Sequence, residues 1–126
     1  MNKYLLSFFA IALLFISCTK EATYNIDNVK PVIKVVYPTD NPIIPAGYPL
    51  CVKVLISDTE SLSTVWLEIN DGYGFKKEFT ANTRSLEIIE KYTAPSGVTG
   101  NMIAKFTAVD EAGNVSSEEI KFAVNN

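Results

Sequence analysis

The 126-residue sequence contains no histidine, only two cysteines and one tryptophan, and no excess of positive charge. Without histidine the commonest general base is absent. Ser57, Ser61 and Ser63 crowd one turn, with no lysine at an offset that would activate a serine nucleophile. A Gly-rich phosphate loop, a zinc-ligand pattern and a heptad repeat are all missing. Eleven basic groups against fourteen acidic ones leave a net charge of −3, the wrong sign for a nucleic-acid face. Spacing alone leaves room for a carboxylate pair of the glycoside-hydrolysing kind, but a small domain with short loops has little space for a cleft. The expectation is a protein that is not an enzyme.

What is there begins with an address. Tyr4 to Ile16 is an uncharged apolar run of 13 residues behind Lys3. A bilayer-spanning helix needs about 20, so the run reads as the core of a secretory signal. Phe15-Ile16-Ser17-Cys18 resembles the lipobox of bacterial lipoproteins, with a small residue before the cysteine and apolar residues behind it. The resemblance implies cleavage before Cys18 and palmitate-type acylation of its thiol and new amine. An ordinary secretory signal with an incidental cysteine is the plainer alternative. Residues 1–17 are thus expected as a lipoprotein signal peptide, 18–29 as a polar tether and 30–126 as the folded domain. Removing Lys3 with the signal leaves 109 residues at net −4. A chain of that size buries about two thirds of its unfolded surface, enough for one core. There is no polybasic support for lipid head groups, so attachment to the membrane rests on Cys18, each buried CH₂ contributing about 0.8 kcal/mol. If Cys18 is acylated, Cys51 has no intrachain partner. A lone thiol in an oxidising compartment is then expected to be buried.

The folded part is organised around Met102 to Val124. Met102, Ala104, Phe106 and Ala108 alternate with Ile103, Lys105, Thr107 and Val109, the period of a strand with one face inward. Ile120, Phe122 and Val124 repeat the pattern after Asp110-Glu-Ala-Gly-Asn114, a turn in which Gly113 can take positive φ and Asp110 can accept from the turn's own N–H groups. Further strands are predicted over residues 31–37, 48–57, 64–69, 75–80 and 85–92, separated by turn residues, with 75–80 an edge discouraged from further pairing by Lys76, Lys77 and Glu78. Residues 38–47 hold three prolines and a glycine, a loop with at most a short edge pairing at Ile43-Ile44. Turn signals every 8–12 residues or so and the absence of a helical period outside the signal predict an all-β fold.

Three pieces carry a family resemblance: the Pro-led first strand at KPVI, Asp58 and Leu62 between the second and third strands, and DEAGN at the last hairpin. Over residues 30–126 the chain resembles the bacterial immunoglobulin-like domains of Bacteroidetes-type lipoproteins. The resemblance implies an immunoglobulin-like antiparallel β-sandwich of about seven strands, lipid-anchored to the outer membrane. Lipoproteins of this plan that carry histidines in the middle strands differ from this chain, which has none. Surface lipoproteins of that phylum often carry a short acidic export signal after the cysteine. Lys20-Glu21 stands there instead, so the leaflet, periplasmic or surface, stays open.

Immunoglobulin-like topology would gather the loops at two poles. Asp58, Glu60, Asp110 and Asn114 would share the pole beside the tether, and they offer the oxygen ligands that calcium takes. The plainer reading is that Asp58 and Asp110 cap their own turns. Tyr37, Tyr48, Tyr73 and Tyr92 fall at strand ends of the other pole. Tyrosine pairs a flat apolar face with a hydroxyl, the chemistry that sugar rings and peptides use; packing of loop onto core is the plainer reading. The function expected is a lipid-anchored envelope module that binds or adheres, its partner a glycan or an envelope protein. The alternative is a structural accessory subunit of a larger envelope assembly, favoured if Trp66, Leu55 and Cys51 form one exposed apolar stripe.

Overall fold

The computed structural model describes residues 26–126. The expected signal peptide and the lipidation site at Cys18 lie outside the described residues. Among the described residues no helix is long and apolar enough to cross a membrane.

Alternation of apolar and polar residues decides the architecture strand by strand. In β3 (Leu50–Ser57) the residues Leu50, Val52, Val54 and Ile56 are buried, and Cys51, Leu55 and Ser57 between them are exposed. In β4 (Leu62–Ile69) Val65, Leu67 and Ile69 point inward, and in β7 (Gly100–Asp110) Met102, Ala104, Phe106 and Ala108 do the same. The remaining strands are β1 (Val32–Tyr37), β2 (Ile43–Pro45), β5 (Phe75–Thr80), β6 (Ser85–Tyr92) and β8 (Val115–Asn125).

Two sheets result, one in the order β1-β3-β6 and the other β2-β8-β7-β4-β5. Every pairing is antiparallel except β2 on β8. Their inner faces meet in one core, with Phe106 of the central β7 fully enclosed. The β7–β8 hairpin is the longest pairing, from Gly100 opposite Val124 to Val109 opposite Val115. Gly113 sits in its turn at φ 89°, a conformation that needs no Cβ. As predicted, β5 is an edge strand, and Ser85 to Tyr92 is a strand in full.

The differences from expectation have local causes. Tyr48 precedes its strand rather than opening it, because Pro49 has no N–H to give the ladder and the Tyr48 N–H instead donates to the Pro45 carbonyl at 3.1 Å. The pairing at Ile43-Ile44 extends to Pro45 and adds an eighth short strand. Cys51 is exposed, not buried. Strand parity puts it on the outer face between Lys91 across the ladder and Lys53 two residues on, and parity overrides a thiol's general preference for the interior. The expected stripe of Trp66, Leu55 and Cys51 does not exist either. Leu55 and Cys51 face outward from the three-stranded sheet, while Trp66 belongs to the five-stranded one, where Lys76 Nζ lies 5.1 Å from its ring centroid.

Candidate functional site

Strand order brings loops from distant parts of the chain together at each end of the sandwich. At the first end lie the β3–β4 turn, the β5–β6 turn, the β7–β8 turn and the segment ahead of β1. Asp58 stays at this end because its backbone N–H donates to the Arg84 carbonyl at 2.9 Å, and its Oδ1 accepts from the Glu60 N–H at 2.8 Å. Asp110 closes β7. Its Oδ1 accepts from the Asn114 backbone N–H at 2.8 Å and its Oδ2 from Asn114 Nδ2 at 2.9 Å. Burial raises the Asp110 pKa, but the side-chain and backbone N–H donors of Asn114, a hydrogen bond from the Asp27 carboxyl when that group carries a proton, and the Ala112 N–H more than offset this, and the carboxyl sits below its ordinary range.

Asn114 makes a second contact across the pole: its Nδ2 also donates to the Asp27 carbonyl at 3.0 Å. The sandwich's contacts therefore reach back to Asp27, ahead of the boundary expected at Lys30. Asp27 Oδ1 accepts from the Val29 N–H at 2.9 Å. Carboxylate oxygens of Asp27, Asp58 and Asp110 lie within 4.8 Å of one another. Of the four oxygen-bearing residues expected here, Asp58 and Asp110 converge, and Asn114 holds Asp110. The Glu60 carboxylate is not part of the convergence; its backbone N–H is what serves the turn. Asp27 was not legible in the sequence, since it sits in a polar stretch with no period and its partners are 31 residues or more away.

At the other end lie the ends of β1, β2, β4, β6 and β8 and the starts of β3, β5 and β7. Tyr48 and Tyr73 are exposed, at 67% and 72%, and Tyr37 is at 38%. Tyr92 differs: it is buried, its ring meets Phe75 edge-on with centroids 5.0 Å apart, and its hydroxyl donates to Asp71 Oδ2 at 2.7 Å. Tyr92 therefore serves the core and presents no face for a ligand. Asp71, buried in the β4–β5 turn, also accepts the Tyr73 N–H at 2.8 Å, so one carboxylate joins the two sheets at this pole. Burial raises the Asp71 pKa, and the Tyr92 hydroxyl with backbone donors outweighs it, leaving the carboxyl below its usual range. Burial and the adjacent Asp71 charge push the Tyr92 phenol well above its usual range. Near the same end, the outer face of the five-stranded sheet has a groove of about 440 Å³ whose lining includes Asn41, Asn70, Asn101, Ile43 and Lys121.

No protein-family model matches the sequence, and comparison with curated proteins finds no match. Among solved structures, the chain is similar to the fibronectin(III)-like modules of Clostridium thermocellum CbhA, at 21% identity and a TM-score of 0.56 over 77% of this chain and 47% of that one. It is also similar to an engineered protein, at 19% identity and a TM-score of 0.52 over 77% of this chain and 20% of that one. The fold is fibronectin III-like. This chain spans less than half the length of either of those proteins, and at such identities the likeness concerns architecture alone. It agrees with the all-β sandwich expected from alternation and with the immunoglobulin-like architecture that the resemblance implied.

Proposed function

We propose that the protein is a non-enzymatic binding module of the cell envelope, anchored to the outer membrane by lipid on Cys18 and engaging a glycan or an envelope protein with its far pole. The observation that carries the reading is the exposure of Tyr48 and Tyr73 at the pole opposite the segment ahead of β1. A lipid on Cys18 would leave those rings facing away from the membrane. Exposed tyrosines contribute contact area at low conformational cost, and the nearby groove adds amide and ammonium groups able to hydrogen-bond sugar hydroxyls or peptide carbonyls. Fibronectin III-like sandwiches are scaffolds on which loops do the binding, which supports a module over a catalyst.

The test uses the full chain made in a bacterial host and purified in detergent. Radiolabelled palmitate is expected to enter the wild type and not Cys18→Ser. On arrays of envelope glycans, Tyr48→Ala with Tyr73→Ala is expected to abolish binding. Binding that survives the double substitution removes the tyrosine pole from the reading.

One observation favours the structural-subunit reading. Val32, Leu55 and Ile89 are exposed together on the outer face of the three-stranded sheet, at 61%, 38% and 58%. A clean monomer that binds glycan supports the module; a dimer that loses its partner on Ile89→Lys supports the subunit.

A further inference from the structure

Three carboxylates at one pole of this sandwich come from segments that are far apart in the chain: Asp27 ahead of β1, Asp58 after β3 and Asp110 at the end of β7. Their oxygens lie within 4.8 Å of one another. Asp27 and Asp58 are partly exposed as residues, but each keeps an oxygen, Asp27 Oδ2 and Asp58 Oδ2, that exposes less than 1 Å² and, with the carboxyls ionised, has no hydrogen-bond donor among the described residues. The Asp27 carboxyl lies close enough to Asp110 to share a proton with it, a proton that a cation would displace. Folded proteins rarely leave a buried charged oxygen unmatched, since burial removes its water and nothing replaces it. Here two such oxygens belong to the same converging trio. No ammonium or guanidinium compensates: among the described residues the ion pairs are Lys53 with Glu87 and Lys77 with Glu90, and neither reaches this pole. The third member, Asp110, is 1% exposed and already holds two donors from Asn114.

We propose that Asp27, Asp58 and Asp110 bind a divalent cation of calcium's class, which ties the segment ahead of β1 to the turns at its pole. The donor set consists of hard carboxylate oxygens, without the imidazole or thiolate that would favour zinc or copper. Calcium takes oxygens at about 2.3–2.6 Å, so ligand oxygens on one ion can stand up to roughly 5 Å apart, as this trio requires. The ion supplies what the two orphaned oxygens lack and relieves the repulsion among three like charges. Asn114 is a positioning residue, because its amide bridges Asp110 and the Asp27 backbone and aligns the loop with the segment. The site does not depend on whether the tyrosine pole binds a ligand.

The full chain, purified in detergent and stripped with EDTA, is titrated calorimetrically with calcium chloride. One saturable site is expected, with a dissociation constant of about 10⁻⁴–10⁻³ M, the range of extracellular modules. Hydrogen exchange over residues 26–31 is expected to slow when calcium is added. Asp110→Asn risks the fold of its turn, so Asp27→Asn carries the test: its melting temperature in EDTA is expected to match or exceed the wild type's, while its calcium affinity falls by about tenfold or more. Absence of heat and of any melting shift up to about 10 mM calcium, well above that range, overturns the proposal. So does binding that Asp27→Asn leaves intact, which would put the ion elsewhere.

Discussion

Asp71 and Tyr92 show how much one pair of residues can decide. The tyrosine hydroxyl reaches from the end of β6 in one sheet to a carboxylate in the β4–β5 turn of the other, at 2.7 Å. The same carboxylate receives a backbone N–H in its own turn. The pair sets the stability profile in pH. The Asp71 pKa is lower in the folded chain than its ordinary value near 4, so its contribution is complete above about pH 4 and is lost as pH falls through the depressed value. Asp110 adds to the same acid limb, with the same sign. The Tyr92 pKa is raised, so its contribution is complete below about pH 10 and fades as pH rises beyond that. Tyr92→Phe is expected to cost about 1–3 kcal/mol at neutral pH, because Asp71 loses a donor while buried, and to flatten the alkaline limb. Melting temperatures followed by circular dichroism from acid to alkaline pH check both; an unchanged alkaline limb in the variant would show that the phenol does not set it.

At the scale of elements, the β7–β8 hairpin carries the architecture. Its turn is held by Asp110 and Asn114 on one side and by Gly113 on the other, where the Gly113 N–H donates to the Asp110 carbonyl at 3.1 Å. A side chain at that φ of 89° is strained even though nothing stands within 4 Å of the added Cβ. Gly113→Ala is expected to lower stability by about 1–2 kcal/mol through backbone conformation alone. Urea denaturation measures it. Because the same turn presents Asp110, the substitution is also expected to weaken calcium binding. The edges are handled differently. Lys77 of β5 reaches Glu90 of β6 at 2.8 Å, and so joins the outer strands of the two sheets. Half-exposed pairs of this kind contribute little to stability, and their role is to keep charge along a free edge.

For the molecule as a whole, stability rests on one core between two sheets. Phe106 sits at its centre with no exposure, on the inner face of β7, which is flanked by β8 and β4. Phe106→Ala is expected to cost about 3–5 kcal/mol, from lost burial and the cavity left behind. A domain of about 100 residues has roughly 5–15 kcal/mol in total, so the variant should fold only marginally and unfold at much lower urea, with an unchanged denaturant slope. At this scale the two ends of the sandwich also take on different characters: acidic where the chain enters, tyrosine-bearing where it does not.

Alternation is a local property, and the sequence by itself was enough for the strands, their inner faces, the edge position of β5 and the sandwich class. Residues two apart share a face whatever the rest of the chain does. The same parity could have warned that Cys51 faces outward, since it lies between Leu50 and Val52 on a strand that buries even-numbered positions. The family resemblance already put Asp58 and Asp110 at one pole, but only the tertiary structure decided that Asp27 joins them and that Asp71 meets Tyr92. Asp27, Asp58 and Asp110 share no spacing that a linear reading can detect, and neither do Asp71 and Tyr92. They are neighbours because strand order folds distant turns to a common end, and that order depends on how all eight strands pack at once.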